Sequence, residues 1–148
     1  MLKFLFLGTG TSSGVPVLGC HCATCCSADP KDRRFRTSAY LTTAAGARIL
    51  IDVSPDFRLQ AMKHQIYWLD GVLITHAHHD HIGGLDELRQ LNFLMKRNIA
   101  LYGNASALQE IQTRFDYVFK ETQKGGGKPQ IDLHLIAAQK EFAIKEQK

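Results

Sequence analysis

The sequence predicts an α/β chain of α+β character, one β-sheet faced by helices. Three observations carry that expectation. Short apolar runs of strand length recur at residues 2–7, 37–43, 48–52, 70–74, 98–102 and 131–136, separated by glycine, proline and aspartate. Two later stretches, 85–95 and 106–120, carry apolar residues every three or four positions, the period of an amphipathic helix. Between residues 70–74 and 85–95, a strand-to-helix loop holds four of the seven histidines within six positions.

At 148 residues the chain is long enough for one domain with its own core, and we take 1–148 as part of a single domain. Its 22% charged and 45% hydrophobic content is ordinary for a globular protein. The net charge of +4 permits an anionic substrate, and six lysines after residue 119 account for it equally well as solvated surface. Residues 2–7 are too short to span a bilayer and lack the cleavage signal of a secretory leader. With no transmembrane stretch elsewhere, a cytoplasmic location and no membrane partner are expected. All four cysteines fall between residues 20 and 26, which favours metal or free thiols over a disulfide framework.

Taken in order, residues 2–7 read as a first, buried strand. The loop that follows, residues 8–16, contains Gly8, Gly10, Gly14 and Pro16. Its backbone N–H groups and the hydroxyls of Thr9, Ser12 and Ser13 could hold a substrate phosphate, although the spacing is not that of a P-loop. Cys20, Cys22 and Cys25 then follow as C-x-C-x2-C, three thiolates able to fill three corners of a closed, structural zinc site. Cys26 and His21 lie close by, but a neighbouring residue often fails to reach the same ion. Residues 29–36 form a charged link. Residues 37–43 and 48–52 read as paired strands, and 55–65 as a helix with Pro55 in its first turn. Asp52 ends its strand, either to cap that helix or to serve the histidine loop, and Asp56 could do either job.

The histidine loop reads Thr75-His76-Ala77-His78-His79-Asp80-His81-Ile82-Gly83-Gly84. In an extended segment His76 and His78 project to one side, and after a turn Asp80 and His81 can address a second point nearby. Neutral imidazoles and a carboxylate suit zinc, manganese or iron, and two such pairs suit two metals that activate water for hydrolysis. Asp86 and Glu87 stand in the first turn of the next helix, where negative charge complements its dipole. In 106–120, Leu108, Ile111, Phe115, Val118 and Phe119 are core candidates, with Tyr117 assigned to packing ahead of a substrate pocket. Residues 123–129 read as a flexible connection, and 131–136 as a strand in which His134 is an ordinary strand histidine.

The histidine motif resembles that of the metallo-β-lactamase-fold hydrolases. Joined to G-T-G-T-S-S-G-V-P-V-L-G-C-H-C-x2-C, it is similar to the branch containing the cyclic-phosphate phosphodiesterase of bacterial phosphonate breakdown. The resemblance implies an αββα sandwich, of which this chain would be the first β-sheet half. It implies that His76 and His78 bind one metal and that Asp80 and His81 bind the other, with Asp80 counted as catalytic and His79 as a non-ligand. It implies a structural zinc on Cys20, Cys22 and Cys25, completed by a downstream histidine. In that family the counterpart of Asp52 lies under the metal site and hydrogen-bonds a ligand. The expected cofactors are two divalent metals, zinc or manganese, and one structural zinc.

The same resemblance leaves ligands missing. Family members are typically about 250 residues, and after His81 the sequence offers only His134. A truncated or partner-completed protein is therefore expected, with weak metal binding and little activity alone. The expected function is a metal-dependent phosphodiesterase acting on a small cyclic phosphodiester, with no nucleic-acid partner and room for a homodimer. The alternatives are a thioester, lactone or RNA 3′-processing hydrolase on the same centre, or a non-catalytic zinc-stabilised module.

Overall fold

Six strands, taken in the order in which the chain makes them, form one mixed sheet. The computed structural model describes residues 1–121, 127–138 and 140–144. β1 (Lys3–Gly8) pairs antiparallel with β2 (Ser38–Thr42), and β2 pairs antiparallel with β3 (Arg48–Ile51). β4 (Gly71–Leu73), β5 (Ile99–Gly103) and β6 (Ile131–Leu135) then add in parallel.

Parallel neighbours need a crossover, and helices supply each one. α1 (Phe57–His64) links β3 to β4. α2 (His79–Ile82) and α3 (Leu88–Met95) link β4 to β5. α4 (Ala105–Arg114) and α5 (Asp116–Phe119) lead toward β6. Every crossover advances one strand in the same direction, so the usual right-handed connection puts all of these helices on one face.

The register sorts side chains accordingly. The row Leu5, Tyr40, Leu50, Val72, Leu101 and Leu133 runs across the sheet on the helix side. Leu50, Val72 and Leu101 are wholly buried there, in one core with Phe57, Leu88 and Ile111. The adjacent row Phe6, Ala39, Ile51, Leu73, Tyr102 and His134 points to the other face. There Phe6 is 66% exposed. Tyr102 stacks on His134 at 4.8 Å and on Phe142 at 5.7 Å.

Several expectations need correction. β1 is an edge strand buried only at Leu7 and Gly8, because it has one neighbour and its Phe4–Phe6 face is open. The first helix starts at Phe57, so Pro55 precedes it. The stretch 85–95 opens with a 3-10 turn, Leu85–Glu87, before α3, so Asp86 and Glu87 lie ahead of the helix; Met95 is buried and Leu94 exposed. The stretch 106–120 breaks at Phe115, whose backbone (φ −114°, ψ 40°) leaves helical geometry between α4 and α5. Residues 123–126 of the expected connection lie outside the described residues, as do 145–148. Among the described residues, no helix is long and apolar enough to cross a membrane.

Candidate metal centre

The centre is built at the carboxyl end of β4. Ile74 N–H donates to Tyr102 O at 2.8 Å, which carries the pairing one residue past the strand. The chain then turns at Thr75 and enters α2, with His78 as its N-cap. The loop is thus helical in its second half. His76 and His78 precede that turn of helix, and Asp80 and His81 lie within it.

The two halves converge. The rings of His76 and His78 lie 4.6 Å apart, and those of His76 and His81 lie 4.0 Å apart. Asp80 Oδ2 and His81 Nε2 are separated by 3.4 Å. Two donors sharing a tetrahedral zinc with bonds of about 2.0–2.1 Å stand about 3.4 Å apart, so this pair fits one ion. His79 turns aside: a Cβ on Gly83 would meet its Cε1 at 2.6 Å. His134 lies on β6 against Tyr102, outside the cluster.

Asp52 forms the floor of the cluster. It is 2% exposed, and its left-handed backbone (φ 59°), tolerable for aspartate, turns the chain at the end of β3. One carboxylate oxygen, Oδ1, accepts from Thr75 N–H at 2.8 Å. The other, Oδ2, contacts His81 Nδ1 and Thr75 Oγ1, each at 2.7 Å. Thr75 Oγ1 is also 3.1 Å from His76 Nδ1. An anion at Nδ1 keeps the proton on that nitrogen and leaves the Nε2 lone pair free for a metal. So Asp52 hydrogen-bonds His81, and it does not cap α1. Asp56 does neither job, since its carboxylate accepts from Arg36 N–H at 2.8 Å and from Arg36 Nη1 at 2.7 Å.

Three further residues hold this geometry without having been singled out. Thr75 joins Asp52 to His76. Gly84 lies so close to Ser54 that a Cβ would approach its carbonyl oxygen to 2.1 Å. Arg114, at the end of α4, donates from Nη1 to Ala77 O at 2.9 Å and so ties the loop to the next crossover. The Gly-Gly pair was a visible signal for close approach, and the hydroxyl beside His76 was a signal for Thr75. Nothing local in the sequence marks Arg114.

The cysteines gather separately. One donor atom each from Cys20, Cys22 and Cys25 lies within 4.8 Å of the others, the only three-donor group among the described residues to meet that spacing. Val17 N–H donates to Cys25 Sγ at 3.3 Å and Cys25 N–H to Cys22 Sγ at 3.5 Å. The Cys25 N–H, aided by its neighbouring thiols, pulls the Cys22 thiol below its ordinary range. The Val17 N–H pulls Cys25 the same way, but the adjacent Cys20, desolvation and Cys22 together outweigh it and push Cys25 up. Three sulfurs this close fit a thiophilic cation such as zinc. Cys26 and His21 add no donor to the group. Among the described residues, no hydrogen bond or ion pair links Thr9, Ser12 or Ser13 to the histidine cluster. Thr9 lines a cleft beside Lys31 and Arg33, Ser12 O accepts from Arg36 Nε, and Ser13 lines a recess beside Arg36.

Tyr117 is not part of the core. It is 36% exposed, and its hydroxyl donates to the Asp86 carboxylate.

Known proteins share this fold. The family described as beta-lactamase superfamily domain matches residues 47–148. An octanoyltransferase from Porphyromonas gingivalis is 49% identical over 125 residues, covering 84% of this chain and 25% of that protein. A diphosphatase of the PhnP family superposes with a TM-score of 0.81 at 36% identity, covering 93% of this chain and 51% of that one. Zinc-bound PqqB from Methylobacterium extorquens gives 0.76 at 23% identity, covering 98% and 49%, and shows the fold alone. The chain thus spans about a quarter of the first and about half of each of the other two. With more than half of its length inside the family match, and with the same mixed sheet and helices as its solved neighbours, the chain belongs to the beta-lactamase superfamily.

Proposed function

We propose that this chain supplies the first metal-binding part of a metal-dependent hydrolase, and that the reaction is hydrolysis of a small, cyclic phosphodiester. The observation that carries the reading is the convergence of His76, His78, Asp80 and His81 over the buried Asp52 carboxylate. His76 and His78 would hold one divalent ion, zinc or manganese, and Asp80 and His81 a second. Division into two pairs also accounts for the histidine cluster having no three donors as tightly grouped as the cysteines. Cys20, Cys22 and Cys25 would hold a third, structural zinc.

Bound there, such ions supply Lewis acidity toward phosphoryl oxygens and lower the pKa of water. The chain's own residues set the geometry for that chemistry. Asp52 fixes the orientation of His81 directly and of His76 through Thr75. Asp80, with one oxygen turned to His81 Nε2, keeps its other oxygen to accept a hydrogen bond from the attacking water. The 36% identical neighbour is a diphosphatase, which supports phosphorus as the centre attacked. The 49% identical relative bears the name of an acyl transferase, so an acyl thioester is the competing substrate class.

The test uses the whole protein that carries this chain, assayed with a cyclic nucleotide, a linear phosphodiester, an acyl thioester and RNA. Phosphodiester turnover that His76→Ala and Asp80→Ala each abolish, with metal lost at the histidines and retained at the cysteines, is the expected result. Turnover confined to the thioester would overturn the substrate assignment. One zinc at the cysteines and none at the histidines would overturn the enzyme assignment in favour of a structural module.

A further inference from the structure

The long connection between β1 and β2 folds back on itself. Gly10 N–H donates to Phe35 O at 2.8 Å, and Val15 and Arg34 exchange both backbone hydrogen bonds at 2.9 Å. This pairing sets residues 30–35 along the glycine-rich loop and opposite the last turn of α1. Between them lies a cleft of about 600 Å³.

Its charged lining is of one sign. Lys31, Arg33 and Arg34 come from the connection, and Lys63 and His64 come from α1, while among the described residues no carboxylate lines the cleft. An adjoining recess of about 370 Å³ shares Arg33, Arg34 and Lys63 and likewise has no carboxylate. Among the described residues, none of these four Lys and Arg side chains has a carboxylate within 4.0 Å, whereas the nearby Arg36 is paired with Asp56. The chain has 18 Lys and Arg against 14 Asp and Glu, so with these four set aside the remainder balances.

Four like charges around one concavity repel each other unless an anion sits among them, and a concave wall concentrates their field. Arginine forks match phosphate oxygens in pairs, lysines add point charges, and the Thr9 hydroxyl adds a neutral donor at the rim. Phe35 and Pro30 give both cavities an apolar side. The volume is that of a small-molecule site, since such sites run to about 300–1,000 Å³. His76, His78, Asp80 and His81 line neither cavity.

We propose that this cleft is a second ligand site, which binds a small molecule bearing two or three linked phosphates, separately from the histidine cluster. Binding is electrostatic and needs no metal from that cluster. The proposal stands or falls independently of the hydrolase reading.

The experiment is calorimetric titration of the whole protein that carries this chain, bearing His76→Ala and Asp80→Ala so that the histidine centre is removed, with ADP and with inorganic tripolyphosphate. Both probes are expected to bind, with an affinity that falls as salt is raised. Arg33→Ala/Arg34→Ala should weaken binding by about tenfold or more, as expected for the loss of charge-assisted hydrogen bonds. Lys63→Ala, on a different element, should weaken it in the same direction, and Lys3→Ala on β1 should leave it unchanged. Equal affinity for the two probes would mean that the cleft reads phosphate alone; tighter ADP would mean that the Phe35 wall contributes. No binding of either probe overturns the proposal, as does binding that the cleft variants leave intact. The Lys3, Arg33, Arg34 and Lys63 side chains are exposed, and circular dichroism of each variant confirms its fold.

Discussion

Asp52 Oδ2 stands 2.7 Å from His81 Nδ1 on the buried floor of the histidine cluster, and the same oxygen stands 2.7 Å from Thr75 Oγ1. One carboxylate oxygen therefore governs two imidazoles. It holds the Nδ1 proton of His81 directly. By accepting the hydrogen bond of the Thr75 hydroxyl, it leaves the Thr75 Oγ1 lone pairs to accept from His76 Nδ1–H at 3.1 Å. Both histidines are then left with Nε2 lone pairs, the form a cation requires.

Replacing this carboxylate with an isosteric amide tests the relay. Asp52→Asn keeps the volume but removes the charge that holds the Nδ1 protons. Affinity for zinc at the histidines should fall by about 10–100-fold, the usual effect of losing such a partner. Competition with a chromophoric chelator would measure it, and nitrogen chemical shifts would show His81 in mixed tautomers. Unchanged affinity with an unchanged tautomer would refute the relay.

Thr75 makes the complementary prediction. Thr75→Val removes the hydroxyl that reaches His76 but leaves the Asp52–His81 contact in place. His76 should lose its fixed tautomer while His81 keeps its own, and metal affinity should drop by less than in Asp52→Asn. Thr75→Ser, which restores the hydroxyl, should restore the His76 signal. An imidazole spectrum identical in all three proteins would show that Thr75 only shapes the turn.

How much of this was legible in the sequence follows from the range over which each signal acts. The strands at Arg48–Ile51 and Ile131–Leu135 were visible because their apolar pattern and their breaks are local. The side on which β1 is open was not, because an edge position depends on which strands pair, not on what β1 contains. The break at Phe115 was hidden inside an unbroken 3–4 apolar period, with no glycine or proline to mark it. The grouping of His76, His78, Asp80 and His81 could be read because all four lie within one turn of chain. Asp56 could not be placed, because its partner Arg36 is 20 residues away and both helix capping and pairing suit an aspartate there. Arg114 escaped for the same reason, 37 residues from the carbonyl that it holds.

Gly84 carries a steric requirement and not a conformational one. Its φ of −95° is open to any residue, but a Cβ would stand 2.1 Å from Ser54 O. Gly84 N–H also donates to Val53 O at 2.9 Å, and Val53 N–H to His81 O at 2.7 Å, so the contact cannot open without moving the histidine loop. Gly84→Ala should cost about 1–3 kcal/mol in urea denaturation, as overpacking of a close contact does. Gly19→Ala, where a Cβ meets nothing within 4 Å, is the control for backbone effects alone, since Gly19 has φ 74°. A Gly84 variant as stable as the wild type would show that the Ser54 contact yields freely.

Tyr117 gives the chain an alkaline dependence whose sign can be stated in advance. Burial, followed by its bond to Asp86, pushes the phenol well above its ordinary value. In the unfolded chain the phenol titrates near pH 10. Below about pH 9 both states keep the proton and the contact contributes fully. Above about pH 10 the unfolded state releases its proton while the folded state retains it, so stability must fall as pH rises. Wild type minus Tyr117→Phe, measured by urea denaturation from pH 8 to 11, should therefore show an advantage that is flat at first and then shrinks. The subtraction removes the contribution of Tyr40, whose phenol burial also pushes up. A difference that stays constant across that range would mean that the Asp86 bond does not hold the Tyr117 proton in the folded chain.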